Sequence, residues 1–114
     1  MTDKTIDPND AVDYMIAKSK EYALSKANRI YMEEYRKSLK SQLMKAAMVD
    51  GHAAVNAQER EAYAHPDYVQ HLMALKQAVE AEETLRWMLV AAEARVEVWR
   101  SQEASKRAEG RAVV

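Results

Sequence analysis

Residues 66–108 read PDYVQHLMALKQAVEAEETLRWMLVAAEARVEVWRSQEASKRA, and beyond Pro66 they contain neither glycine nor proline. Within them Leu72, Leu75, Val79, Leu89, Ala92, Val96 and Trp99 recur at steps compatible with a single stripe, the pattern of one long amphipathic helix. The spacing predicts a helix over 66–108. Its start is set by His65-Pro66, because proline disfavours a helical residue before it and yet suits a first turn. Gly110 is expected to end it, leaving a short tail over 109–114. At about 1.5 Å per residue, such a helix is on the order of 60 Å long.

Upstream, Asp7-Pro8-Asn9-Asp10 is a helix start: Asp7 can accept from free first-turn amides, Pro8 lacks only an N–H that would be unpaired there, and Asp10 complements the helix dipole. No breaker follows until Asp50-Gly51, where glycine can take the left-handed conformation that closes a helix. A first helix over 8–49 results, with Met32, Tyr35, Leu39, Leu43 and Ala46 as the packing stripe of its later half and Ile16, Ala23, Ala27 and Ile30 along one line earlier. Asn56-Ala57-Gln58-Glu59 has the form of a capping box and predicts a two-turn helix over 57–64. The expectation is an all-α single domain over 1–114: two long helices in an antiparallel helical hairpin closed by a short connector helix.

Composition agrees with that class. The 114 residues include two glycines, two prolines and no phenylalanine, which starves turns and strands. The absence of cysteine excludes disulfides, thiolate metal sites and a cysteine nucleophile. The apolar run Met88 to Ala92, six residues with Trp87 before it, is far short of the roughly 20 residues that span a bilayer, and the N-terminus has no signal-peptide pattern. A soluble, cytoplasmic protein with no membrane partner is expected.

Two long helices side by side bury one stripe each and leave a poor ratio of core to surface. Between Leu85 and Trp99 apolar residues occupy several faces: Leu85, Met88 and Ala92 on one line, and Trp87, Ala91, Ala94 and Val98 on another. Trp87 and Trp99, twelve positions apart, lie roughly a third of a turn from one another at about 100° per residue. One tryptophan is therefore expected inside the hairpin and the other at a subunit interface. A homo-oligomer is predicted, with Leu85, Trp87, Met88, Ala91, Val98 and Trp99 as interface residues. The plainer alternative is that the connector folds back over the second face.

The formal net charge is −1, but between Lys18 and Lys45 eight basic residues stand against three acidic ones. Lys26, Arg29, Arg36, Lys37 and Lys40 are interleaved there with Tyr22, Tyr31 and Tyr35, a combination that can hold a phosphate backbone while bases stack, so single-stranded nucleic acid is the natural ligand class. Equally, the tyrosines can pack inside the hairpin and the cations form a solvated face. Oligomerisation favours the first reading, because copies of a weakly basic helix add up to an extended site.

Catalytic signals are lacking. His52, His65 and His71 sit near Glu61 and Asp67, but Pro66 separates the pairs and no H-E-x-x-H pattern exists, so these polar residues are read as caps and connectors rather than zinc ligands. The serines lie on helical stretches without a nucleophile elbow, and glycine-rich phosphate loops are impossible with two glycines. Glu33-Glu34 and Glu82-Glu83 are adjacent and point in different directions. No enzyme, metal, cofactor or small-molecule substrate is expected.

YALSKANRIYMEEYRKSLKSQLM (22–44), EREAYAHPDY (59–68) and WRSQEASKR (99–107) resemble small helical proteins of bacteriophage recombination gene sets, and the layout resembles recombination mediators of the T-even phage type. The resemblance implies a ring-like homo-oligomer in the host cytoplasm that binds single-stranded DNA and helps load a recombinase or annealing protein by displacing a single-strand-binding protein. By position, it implies DNA contacts at Lys26, Arg29, Arg36, Lys37 and Lys40 and assembly through Leu85 to Trp99. The competing reading is a structural or assembly protein, scaffold-like or chaperone-like, that uses the helices for protein contacts only.

Overall fold

The computed structural model describes the backbone of residues 7–113 and the side chains of residues 7–112. Three helices follow one another, α1 (Pro8–Val49), α2 (Val55–Ala64) and α3 (Pro66–Val113), and there is no strand among the described residues. The chain divides into two compact units, one formed by Leu24–Glu82 and the other by the residues up to Ala23 together with those from Glu83 onward.

The helix ends follow from local chemistry. Asp7 opens α1 by accepting from the Asn9 amide through Oδ1 at 2.8 Å and from the Ala11 amide through its carbonyl at 3.2 Å. At the far end Gly51 takes φ +108°, and two bonds close the helix: the Gly51 amide to the Met48 carbonyl at 3.1 Å, and the His52 amide to the Ala47 carbonyl at 3.0 Å. This is the Schellman arrangement, which needs a residue without a β-carbon penalty at Gly51. His65 stays extended at ψ 136° ahead of Pro66 and caps α3 with its ring, Nδ1 accepting from the Asp67 amide at 3.0 Å. Only the neutral ring can do this, since a protonated Nδ1 has no lone pair.

Two predicted boundaries need correction. The capping box at Asn56 and Glu59 does not form: α2 begins at Val55, its cap residue Ala54 makes no side-chain cap bond, and the Asn56 oxygen reaches only the neighbouring Ala57 amide. Gln58 does the holding instead, its amide donating back to the His52 and Ala53 carbonyls at 2.9 and 3.3 Å. Likewise α3 does not stop near Ala108, for Gly110 lies inside it and the helix continues to Val113. A single exposed glycine costs a helix only about 1 kcal/mol, and no proline follows to enforce a stop.

In the Leu24–Glu82 unit, α3 turns inward Tyr68, His71, Leu75, Ala78 and Glu82, at alternating steps of three and four. That alternation is the seam of a helix packed on another helix. Leu72 and Val79, expected on the stripe, are instead exposed. From α1 the covered positions include Ser25, Arg29, Met32, Leu39 and Leu43, with Ala47 buried near the end and Glu33, Lys40 and Met44 half-buried at the flanks, while Tyr35 and Ala46 of the predicted stripe face outward. Ala62 of α2 is 0% exposed, which makes this alanine the tightest packing position in the unit.

The second unit is thinner. Ala11 and Ala92 are its buried residues among those described, with Met15, Lys18, Tyr22, Leu85, Leu89, Val96, Trp99 and Glu103 half-buried. The line of Ile16, Ala23, Ala27 and Ile30 expected to pack is exposed throughout α1, because the covered stripe runs one residue earlier through Ala11, Met15, Lys18 and Tyr22. A polar residue at Lys18 on that stripe obscured its phase.

Candidate functional site

Cations on α1 meet aromatic rings from α2 and α3 within the Leu24–Glu82 unit. Arg36, Lys37 and Lys40 on α1, Tyr63 on α2 and Tyr68 on α3 line an open cleft of about 320 Å3. Lys40 sits over the Tyr63 ring at 4.8 Å from its centroid and donates to Glu59 Oε1 at 2.9 Å. Its ammonium is held above the usual lysine range, first by the Tyr63 hydroxyl and then by Glu59. Tyr63 and Tyr68 pack edge to face, with centroids 5.2 Å apart and planes at 77°. Lys37 pairs with Glu34 at 3.2 Å along the same exposed helix face, a contact worth little in water. Arg36 is exposed and has no ion-pair partner among the described residues.

The position of Arg36 is unusual. It stands four residues after Met32 and three before Leu39, so it falls on the beat of the covered α1 stripe where an apolar side chain would normally pack. Here the stripe opens onto the cleft and carries a guanidinium.

The other sequence candidates are dispersed. Arg29 is turned inward: its Nε and Nη2 fork onto Glu82, with Nη2 to Oε1 at 3.1 Å, while Nη1 reaches Glu33 at 3.0 Å. The Glu82 side chain is 8% exposed, and bonds to Glu82 and then Glu33 hold the guanidinium above its ordinary range. Arg29 is thus a link between α1 and α3, committed before any phosphate arrives. Lys26 is exposed and is not among the residues that line the cleft. Tyr31 and Tyr35 stack with centroids 6.1 Å apart and planes at 15°, and Tyr35 meets the His71 ring at 5.5 Å. His71 Nε2 in turn donates to the Met32 carbonyl at 2.7 Å. Tyr31 and Tyr35 therefore remain partly open at the surface, as base stacking requires.

Sequence reasoning missed Tyr63 and Tyr68, which lie outside the basic stretch. Their signal was the Tyr-x4-Tyr spacing across the Pro66 break, which places one ring on each of two helices. Among the expected interface residues, Leu85 and Trp99 lie on the covered stripe of α3, whereas Trp87 (59% exposed), Met88, Ala91 and Val98 face outward. Trp87 carries Arg86 over its ring at 5.1 Å.

No group of three or more histidine, aspartate or glutamate side chains gathers to hold a metal among the described residues. None of the described helices is long and apolar enough to cross a membrane. Comparison with protein-family models, curated proteins and solved structures finds no match to this chain.

Proposed function

We propose that this chain is a self-associating helical accessory protein that binds single-stranded DNA at the cleft lined by Arg36, Lys37, Lys40, Tyr63 and Tyr68, with Tyr31 and Tyr35 as neighbouring stacking surfaces. The observation that carries the reading is Arg36 at a stripe position, without an ion-pair partner among the described residues and lining one cleft with two tyrosines. Proteins violate packing rules of this kind chiefly at functional sites. In this reading α1 and α3 run antiparallel as a hairpin closed by α2, which the pairing of residue 29 with 82 and of residue 32 with 71 supports. The cellular role in this reading is taken from the resemblance of the sequence to phage recombination mediators: loading a recombinase or annealing protein in the host cytoplasm while displacing a single-strand-binding protein.

A second reading, an assembly protein acting only through protein contacts, is favoured by one observation: Arg29 and Lys40 already have internal carboxylate partners. Titration of fluorescent oligo-dT at about 50 mM and about 200 mM salt separates the two. Binding that weakens at the higher salt and disappears in the Arg36→Glu, Lys37→Glu double variant supports the nucleic-acid reading. Absence of binding by the wild type at the lower salt leaves only the assembly reading standing.

A further inference from the structure

We infer that the cleft is a pocket for one nucleotide unit per chain, with Arg36 as the fork that grips its phosphate and Tyr63 as the surface for its base. The inference rests on the proposed nucleic-acid reading and narrows it. A cleft of about 320 Å3 lies at the small end of ligand pockets and is local, bounded by α1, α2 and the start of α3. It does not continue along α1: one turn and more upstream, Arg29 is committed to Glu82 and Glu33.

The three cations of the cleft are not equivalent. Lys40 has Glu59 as its counter-charge and lies over Tyr63, so its part is to position that ring and bias the field. Lys37 shares its charge with Glu34. Arg36 brings an uncompensated charge on a planar five-donor group, the geometry that matches two oxygens of one phosphate. Tyr63 is exposed enough to offer surface to a base, whereas Tyr68 is buried and braces it edge to face. A phosphate at Arg36 and a base at Tyr63 make a phosphate-plus-ring site, chemistry shared by a strand nucleotide and a free mononucleotide.

The test is competition against fluorescent oligo-dT bound to the full chain, with inorganic phosphate, thymidine and thymidine monophosphate as competitors. Thymidine monophosphate is expected to compete at least ~10-fold better than either phosphate or thymidine alone, because it engages both halves of the site. Arg36→Lys keeps the charge but loses the fork, and is expected to retain salt-sensitive oligo-dT binding while losing most of the preference for the monophosphate over thymidine. Tyr63→Ala should erase the preference of the monophosphate over phosphate. Circular dichroism of each variant controls for folding.

If oligo-dT binds but the monophosphate competes no better than phosphate, the one-nucleotide pocket is wrong while strand binding stands. A monophosphate preference unchanged in Arg36→Lys removes the role assigned to the fork. If oligo-dT itself does not bind, both readings fall together. Competition by the monophosphate against short oligonucleotides but not long ones assigns the pocket to strand ends; equal competition against both assigns it to any nucleotide of the strand.

Discussion

Gly51 and Gly110 are the chain's two glycines, and they stand in opposite settings, one closing a helix and one inside a helix. Gly51 sits at φ +108° in the closure of α1, where a β-carbon has open space around it but the backbone conformation itself is unfavourable for any L side chain. Gly51→Ala is expected to lower stability in urea unfolding by about 1–2 kcal/mol. Gly110 lies within α3 with nothing near its missing side chain, so Gly110→Ala should raise helicity and add up to about 1 kcal/mol, less if the helix frays there. The same substitution thus has opposite signs, and equal signs would contradict the helical assignment of 110. Lys40 carries a pH prediction at this scale. Its ammonium is raised above the usual range by Tyr63 and Glu59, so the stabilisation it brings is complete below the unfolded lysine value and is lost only as pH climbs through the higher folded one. The stability difference between the wild type and Lys40→Met should therefore be flat from about pH 6 to about pH 9 and shrink only in stronger alkali. A difference that changes between those two limits would show that another group governs the contact.

Between elements, the decisive contact in the Leu24–Glu82 unit is polar. Arg29 of α1 reaches across to Glu82 of α3, whose carboxylate occupies a buried stripe position between Ala78 and Leu85. A charge pair there is weak evidence for stability, since two ions leave water to form it, but it penalises any sliding of α1 against α3 that would leave one ion alone. Glu82→Leu alone is expected to lower the Tm by several degrees, and the Arg29→Met, Glu82→Leu double variant to recover most or all of the loss. Additive losses in the double variant would mean that the two side chains act separately. This network was not legible beforehand, because Glu82 beside Glu83 reads as one of two solvated acids, and Arg29 reads as one of several surface cations. Helix boundaries set by backbone chemistry were legible: Asp7-Pro8, Gly51 and His65-Pro66 mark the ends where the structure has them. The Asn56 capping box failed because α2 starts at Val55, which puts Asn56 inside the helix rather than at its cap, where its side-chain oxygen meets only the Ala57 amide; Gln58 instead ties the turn by donating to the His52 and Ala53 carbonyls.

For the whole molecule, the question is what surrounds the outer faces. The unit containing Ala11 and Ala92 buries little: Trp87, Val90 and Val98 on α3 are exposed, and so are Val12 and Ile16 on α1. Apolar surface of this kind is ordinarily covered by a partner. Under the proposed self-association, Trp87→Asp is expected to shift sedimentation at micromolar concentration toward the monomer with circular dichroism little changed. A wild type that sediments as a monomer throughout would remove self-association from the proposed function. By itself the sequence determined that the chain forms three helices, where α1 begins and ends and where α3 begins, because those features arise from breakers, caps and propensity acting over a few residues; the start of α2 and the end of α3 it did not. Only the tertiary structure decided which line of each helix faces inward, that Arg29 is spent on Glu82, and that Arg36 lines one cleft with Tyr63 and Tyr68. A helix with several apolar lines has several possible inward faces, and the choice among them is made by what the neighbouring helix offers across the gap.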